Sequence, residues 1–183
     1  MTILHIDASI NGDNSASRAI SRSIVDQLTI EQGGGNIVYR DLAAEPLPHL
    51  TLDAFKDSSV IEEFLAADTV VIGAPMYNFT LPSQLKAWID RIVIGGRTFR
   101  YTENGPQGLV GGKRVIVALA RGGFYGEGSP GAVLEHLETY LRGIFNFIGI
   151  DPEFVTADGL NISPEQRDHS IKLAIGETVR LAA

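Results

Sequence analysis

The chain has 183 residues, of which 44% are hydrophobic, and a formal net charge of −7. This length suits a single domain with a substantial buried core, so we expect residues 1–183 to form one domain. The absence of cysteine excludes disulfides, thiolate catalysis and cysteine-bound metals. The acidic balance, without a basic stripe, argues against nucleic-acid binding. Because no basic leader or long apolar segment is visible, we expect a cytoplasmic protein with no membrane association.

Strand and helix patterns alternate along the chain. Apolar runs predict strands over residues 2–7, 36–40, 69–72, 113–120 and about 153–157. Between them, helical spacing predicts helices from residue 17 to the glycines at 33–35, over 51–67, from Ser83 as N-cap to Gly95-Gly96, over about 134–148, and from about 163. The third of these helices has the clearest apolar face: Leu85, Trp88, Ile89, Ile92 and Val93.

Five alternations of this kind predict an α/β fold, a parallel sheet with helices on both faces. Five strands fit the flavodoxin-like order 2-1-3-4-5 better than the six-stranded dinucleotide-binding order. In both folds, ligands bind beyond the carboxyl ends of the strands, where the strand order reverses. The loops over residues 8–17, 74–82 and 121–130 are therefore the candidate binding loops.

The first loop is rich in hydroxyl groups. Ser9, Ser15 and Ser17 lie where a helix begins, and the free N–H groups and dipole of a first helical turn suit a phosphate. The alternative is that Ser15 or Ser17 only caps the helix. The loop lacks the Gly-x4-Gly-Lys-Ser/Thr pattern of a Walker A motif, so we expect a phosphate that is held rather than transferred.

The second loop carries adjacent aromatic residues between two prolines. Pro75 and Pro82 stiffen its ends, and Tyr77 and Phe79 are placed to stack on or flank a planar heterocycle. The alternative is that Met76 and Phe79 are core side chains that cover the sheet. The conjunction with a phosphate-type first loop favours a ligand.

The third loop is rich in glycine. Gly122 and Gly123 allow the backbone to approach a flat ligand edge closely. The pattern Gly126-x-Gly128-x-x-Gly131 matches the dinucleotide fingerprint, but it lies outside the first strand–helix turn, so we discount it. The four histidines lack metal-ligand spacing, and no Gly-x-Ser-x-Gly nucleophile elbow is present, so we expect neither a metal site nor a hydrolase.

Several motifs resemble those of the bacterial FMN-dependent NAD(P)H azoreductases. They are Ala-Pro-Met-Tyr-Asn-Phe (74–79), Thr-Phe-Arg-Tyr-Thr-Glu-Asn-Gly-Pro (98–106), Gly-Leu-Val-x-Gly-Lys (108–113), Arg-Gly-Gly (121–123) and Phe-Ile-Gly-Ile (147–150). The likeness covers nearly the whole chain. It implies a flavodoxin-like homodimer that binds FMN non-covalently in two sites at the dimer interface.

The resemblance also implies which residues bind FMN. The phosphate contacts correspond to Ser9, Ser15, Ala16 and Ser17, and the isoalloxazine contacts to Met76, Tyr77, Asn78, Phe79, Ala120, Arg121, Gly122 and Gly123, with Pro75 grouped among the cofactor-binding residues. Serine is common in the family where Ala120 stands, so one hydroxyl contact is absent here. The segment between the second and third strands, which walls the substrate pocket in the family, is shorter than in several relatives.

The resulting hypothesis is a ping-pong flavin oxidoreductase. NADH or NADPH, which no motif distinguishes, passes hydride to FMN, and a quinone or azo compound then receives two electrons in the same place. No dedicated catalytic acid or base is needed, because the cofactor carries the chemistry. The alternatives are a flavodoxin-like carrier of single electrons and a phosphate-binding module without a redox role.

Overall fold

The computed structural model describes residues 1–181, which form seven strands and five α-helices. The strands are β1 (Thr2–Asp7), β2 (Asn36–Asp41), β3 (Thr69–Pro75), β4 (Phe99–Thr102), β5 (Gly105–Gly108), β6 (Arg114–Ala120) and β7 (Glu153–Ala157). The helices are α1 (Ala16–Glu31), α2 (Ser59–Ala66), α3 (Ser83–Ile92), α4 (Glu138–Phe147) and α5 (Pro164–Leu181).

Five of the strands form one parallel sheet in the order β2-β1-β3-β6-β7. Counted among these five alone, the order is 2-1-3-4-5, so the predicted flavodoxin-like topology is confirmed. The register pairs Asp7 with Gly73 and Pro75 with Ala120. The carboxyl ends of the three central strands therefore meet at one edge of the sheet.

Alternate side chains of each central strand enter different cores. Leu4 and Ile6 of β1 lie in the larger core, against α2, α3 and α4, whereas Ile3 lies in the smaller core, against α1 and α5. β3 and β6 divide their apolar residues in the same way. Because side chains alternate across a strand, a sheet covered on both faces requires such continuous apolar runs.

Two predicted helices are shorter in the structure than in the sequence prediction. The helix over 51–67 is replaced by a 3-10 turn at 54–56 and by α2. Thr51 Oγ1 accepts from the N–H of Ala54, and Asp57 Oδ1 from that of Ser59, so side chains take donors that a continuous helix would use. The helix over 134–148 begins only at Glu138, because the Glu135 carboxylate accepts the N–H groups of residues 137 to 139.

The prediction that Ser83 caps the third helix was wrong. Pro82 occupies the N-cap position and Ser83 is the first helical residue. The hydroxyl of Ser83 donates to Gln84 Oε1 at 3.3 Å instead of accepting a backbone N–H. Proline has a fixed φ that suits entry into a helix, so the helix begins without a side-chain cap.

The hairpin of β4 and β5 was not predicted. The two strands pair in antiparallel fashion from Phe99–Gly108 to Thr102–Gly105, across a turn at 103–104. Gly105 has φ of 103°, a conformation that favours glycine. The Asn104-Gly105 dipeptide was the available signal for this hairpin.

The longest described helix, α5, has 18 residues and carries charged side chains along its length. Within residues 1–181, no helix combines the length and apolar character that crossing a bilayer requires. The single-domain organisation and the cytoplasmic location expected from the sequence stay predictions.

Candidate functional site

The three predicted loops converge at the carboxyl edge of the sheet. A cavity of about 160 Å³ opens there. Six of the predicted site residues line it: Ala16, Pro75, Met76, Tyr77, Ala120 and Gly122. The Tyr77 hydroxyl links two of the loops, because it accepts from the N–H of Ile10 at 3.1 Å and lies 3.5 Å from Ser9 Oγ.

The first turn of α1 forms a cluster of hydrogen-bond donors. Ser15 is the N-cap and its Oγ accepts from the Arg18 N–H at 3.3 Å, so the capping interpretation is correct. Its hydroxyl also lies 3.1 Å from that of Ser17, and both residues are buried. The N–H groups of Ala16 and Ser17 have no acceptor among residues 1–181. The turn therefore caps itself and still presents free donors at the positive end of a helix dipole.

Arg18 fixes the path of the first loop. Its guanidinium donates to both carboxylate oxygens of Asp41, at 2.6 and 2.8 Å, and to the backbone oxygen of Ser9 at 2.8 Å. The hydrogen bonds from Arg18 hold the pKa of the Asp41 carboxyl below its usual range. This pair ties the end of β2 to the loop that follows β1.

A second carboxylate, Asp7, is buried beneath this loop. It accepts from Ser21 Oγ at 2.9 Å and from the Tyr39 hydroxyl at 3.1 Å, and His5 Nε2 lies 3.5 Å away. Burial alone would raise the pKa of Asp7, but the contacts with His5, Ser21 and Tyr39 together lower it. Burial and the charge of Asp7 raise the pKa of Tyr39 to about 12, so Tyr39 remains a donor.

The second loop contains a tight turn in an unusual conformation. Tyr77 and Thr80 exchange backbone hydrogen bonds of 2.9 and 3.1 Å across Asn78 and Phe79, whose φ angles are 47° and 71°. Left-handed φ is rare for a residue as bulky as Phe79 and costs on the order of 1–3 kcal/mol. The Phe79 oxygen accepts from the His136 N–H at 3.0 Å, which helps to hold the turn.

Met76 and Phe79, the two residues of this loop that could be core side chains, have different environments. Met76 packs against the larger core, as the core interpretation predicted, although it also lines the cavity. Phe79 is 41% exposed and makes an edge contact with Tyr125, with ring centroids 6.2 Å apart. The Phe79 side chain is therefore a surface feature of the site and not a core residue.

In the third loop, the Arg121 side chain turns away from the cavity. It is 4% exposed, donates to both oxygens of Asp158 at 2.6 and 2.9 Å, and lies 3.5 Å from Glu138. Its backbone N–H donates to Ala157, so the chain that leads into Gly122 is fixed by β7. A Cβ atom at Gly122 would lie 2.4 Å from Asn161 Nδ2, so a side chain at this position would require the Asn161 amide to move.

The turn and the glycine pair leave backbone donors without partners. The N–H groups of Asn78, Phe79, Gly122 and Gly123 donate to no acceptor among residues 1–181. All four residues are exposed or half-buried, so their N–H groups can meet a ligand. Exposed N–H groups without a protein partner bond to water, so these four donors are available to a ligand that displaces it.

Three residues that line the cavity lie outside the predicted binding loops: Leu160, Asn161 and Arg167. A fourth, Asn11, lies in the first loop but was not named among the binding residues. Leu160 and Asn161 follow β7, whose carboxyl end pairs with that of β6 at Ala120 and Ala157. The predicted strand order already placed the loop after the fifth strand beside the third binding loop, so it should have been included. Arg167 reaches the cavity from α5, for which the sequence held no local signal.

The glycines of the discounted fingerprint do not line this cavity. The glycines at 126, 128 and 131 lie in exposed or half-buried turns beyond β6, away from the first strand–helix junction. Among the described residues, no group of three or more histidine, aspartate or glutamate side chains is arranged to hold a metal ion.

The fold and the site define the class of this protein. Residues 1–181 match a family model described as the flavodoxin-like fold. The crystal structure of an azoreductase from Bacillus anthracis is similar with a TM-score of 0.91 and 27% identity, over 100% of this chain and 98% of that one. An FMN-dependent NADH-azoreductase from the same organism, solved in complex with FMN, gives a TM-score of 0.85 and 28% identity, over 100% and 99% of the two chains.

Curated relatives narrow the class further. The chain is 51% identical to FMN-dependent NADH:quinone oxidoreductase 2 of Bradyrhizobium diazoefficiens and 49% identical to FMN-dependent NADH:quinone oxidoreductase of Rhizobium meliloti, with both chains of each pair fully covered. The chain therefore belongs to the flavodoxin-like family, among the FMN-dependent NADH:quinone oxidoreductases and azoreductases. The resemblance seen in the sequence is confirmed.

We expect the Arg18–Asp41 pair to make folding stability depend on pH. Because folding lowers the pKa of Asp41 and Asp7, their stabilisation is complete above the ordinary aspartate pKa of about 4 and is lost as pH falls through the lower folded values. Asp41→Asn should cost about 1–3 kcal/mol at pH 7 and flatten the decline in stability below about pH 4. Urea unfolding at a series of pH values from about 7 to about 3 measures both effects.

Asp53→Asn is the matched control for this prediction. Asp53 pairs with Lys56 on the surface, with 91% of its side chain exposed, so its replacement should leave the pH profile unchanged. Parallel pH profiles for wild type and Asp41→Asn would show that the Arg18 pair contributes nothing.

Proposed function

We propose that this chain is an FMN-dependent oxidoreductase that uses NADH to reduce quinones and azo compounds, with FMN held by the three loops at the carboxyl edge of the sheet. The observation that carries this proposal is the set of four free backbone N–H groups, at Asn78, Phe79, Gly122 and Gly123, beside the donor-rich first turn of α1. Relatives of about 50% identity bear the name FMN-dependent NADH:quinone oxidoreductase and support the activity.

The phosphate end of FMN fits the first loop. A phosphate monoester is a dianion that needs several donors, and Ser15 and Ser17 supply hydroxyls 3.1 Å apart, with the free N–H groups of Ala16 and Ser17 beside them. Ser9 adds a third buried hydroxyl, held near Tyr77. In the proposed complex, these four residues hold the phosphate at the N-terminus of a 16-residue helix.

The ring end of FMN fits the second and third loops. The isoalloxazine edge has nitrogen and oxygen acceptors, and the free N–H groups of the Asn78 turn and of Gly122 and Gly123 are donors suited to them. Gly122 has no side chain to cover its N–H group, and the Asn161 amide occupies the position where a Cβ atom would project. Pro75, Met76 and Ala120 line the cavity between the two ends and would contact the intervening part of the cofactor.

The protein's own contribution to the reaction is orientation and electrostatics. The two-electron chemistry, hydride acceptance from NADH and reduction of a quinone or azo compound, is what FMN supplies when bound. N–H groups at Gly122 and Gly123 would stabilise negative charge at the ring edge they contact, as donors of an oxyanion hole do. Phe79 and Tyr125, in contact with each other, would shield one side of the site from water.

No side chain is assigned as a catalytic acid or base. The Arg121 guanidinium is fixed by Asp158 and its neighbouring carboxylates, and the Tyr77 hydroxyl is engaged with the first loop. Their role in the proposal is to hold backbone donors in place. The strained turn at Asn78 and Phe79 has the same role in the proposal, because it fixes two N–H groups before the cofactor binds.

We further propose that the protein is a homodimer and that the partner chain covers apolar residues beside the site. Five such side chains are exposed near the second and third loops: Leu50, Phe79, Phe124, Val133 and Leu134. Leu50 lines a groove of about 460 Å³ with Thr80 and Tyr140, next to the Phe79 turn. Exposed apolar groups of this kind are typical of association surfaces.

The visible spectrum tests the proposed activity. We expect purified protein to carry or take up FMN, and anaerobic NADH to bleach the flavin absorbance in one step, with re-oxidation by a quinone or an azo dye. Comparing NADH with NADPH then identifies the preferred donor. A flavin spectrum that neither nucleotide bleaches would favour a carrier of single electrons, and a protein that takes up no flavin would rule the proposal out.

Gly122→Val tests the ring end of the site. The new side chain would meet Asn161 and fill the cavity, so we expect FMN affinity to fall about 5- to 100-fold. Gly126→Val, four residues further along the loop, meets no heavy atom at Cβ within 4 Å and should bind FMN normally. Quenching of flavin fluorescence gives both constants. Equal affinities in the two variants would remove Gly122 from the site.

Sedimentation equilibrium tests the dimer. We expect the wild-type chain to sediment at twice its mass of 19.7 kDa and Val133→Glu, which puts a charge on the proposed interface, to shift it towards the monomer. Val179→Glu is the control, because Val179 is exposed on the last turn of α5, away from the three loops. Dissociation by the control but not by Val133→Glu would place the interface elsewhere.

A further inference from the structure

An arginine from outside the three loops reaches the site. Arg167, at the start of α5, lines the cavity together with Ala16 and Asn161. One of its terminal nitrogens, Nη2, donates to the backbone oxygen of Asn14 at 2.5 Å. Asn14 directly precedes Ser15, so the guanidinium is attached to the segment that leads into the proposed phosphate cradle.

Among the described residues, Arg167 has no carboxylate partner, unlike the other two arginines at this edge of the sheet. Arg18 is neutralised by Asp41, and Arg121 by Asp158 with two further carboxylates. No carboxylate among residues 1–181 lies within salt-bridge distance of Arg167, although Glu165 and Asp168 are its near neighbours along the chain.

An arginine of this kind is matched to a phosphate. Its guanidinium has five N–H donors, of which the Asn14 contact uses one, and it can form paired hydrogen bonds with phosphate oxygens. The chain as a whole carries a charge of −7, so a local positive charge would strengthen the binding of a dianion. The serine hydroxyls and N–H groups of the first loop supply donors but no full charge.

We propose that Arg167 contacts the phosphate of FMN and, through Asn14, holds the first loop closed around it. This inference rests on the proposed function. In this role Arg167 is the positive charge of the phosphate site, and it selects FMN over riboflavin, which has the same ring and no phosphate.

The test measures the affinity of the apo-protein for FMN and for riboflavin, with flavin fluorescence as the signal. Arg167→Gln should weaken FMN binding about 10- to 100-fold, as expected for the loss of charge-assisted hydrogen bonds, and change riboflavin binding less than about twofold. Arg167→Lys, which keeps the charge but not the planar fork, should recover part of the FMN affinity. The dependence of FMN binding on salt should be weaker in Arg167→Gln than in wild type.

Arg180→Gln is the matched control, since it removes the same charge from the last turn of the same helix, about 20 Å away along its axis. It should leave both affinities unchanged. Urea unfolding of each variant establishes whether it folds. If Arg167→Gln does not fold, Arg167→Lys tests the inference in its place.

Four results would overturn the inference in distinguishable ways. Equal losses for FMN and riboflavin in Arg167→Gln would place Arg167 at the ring or in a purely structural role. Unchanged binding of both flavins would remove it from the site. A wild-type protein that binds riboflavin as tightly as FMN would have no functioning phosphate contact although flavin binding stands, whereas a wild-type protein that binds neither would overturn the proposed function and this inference together.

Discussion

The parallel register of β1, β3 and β6 is the constraint on which the rest of this structure depends. Strands that run in one direction and pair as Asp7 with Gly73 and Pro75 with Ala120 must all end at the same edge. The segments that follow the three strands then leave the sheet side by side, and their N–H groups no longer have partners in the sheet. The proposed site is built from what those exits leave unpaired: the first turn of α1, the Asn78 turn and the Gly122 pair.

The loops that expose free N–H groups need other interactions to fix their conformation. Here ion pairs between side chains supply these interactions. Arg18 binds the first loop to β2 through Asp41, and Arg121 binds the third loop to the segment after β7 through Asp158. Gly73 leaves room for the buried Asp7, since a Cβ atom there would lie 2.2 Å from Asp7 Oδ1. These contacts are made by side chains and occupy none of the free N–H groups, so the backbone donors of the loops remain available.

The sequence predicted the fold because both faces of the central strands are buried, and continuous apolar runs such as 115–119 have few other interpretations. It predicted the three loops because strand order and ligand position are linked. It could not reveal which arginine is neutralised, because Asp41 is 23 residues from Arg18 and Asp158 is 37 from Arg121. Part of the family likeness also has a packing origin: a Cβ atom at Gly108 would lie 2.2 Å from the backbone of Gly149, so the motifs at 108–113 and 147–150 meet each other.

The side-chain partners of the three arginines distinguish those that stabilise the fold from the one that is available to a ligand. An arginine with a bidentate carboxylate partner has its charge cancelled and its donors engaged, so it stabilises the fold and attracts little. An arginine held only by a backbone oxygen keeps its full charge and most of its donors. Arg18 and Arg121 are of the first kind and Arg167 is of the second, although all three lie near the same strand ends. Of these three arginines, Arg167 is therefore the cation most available to an anion, and it is held by Asn14, the residue that precedes the N-cap serine of α1.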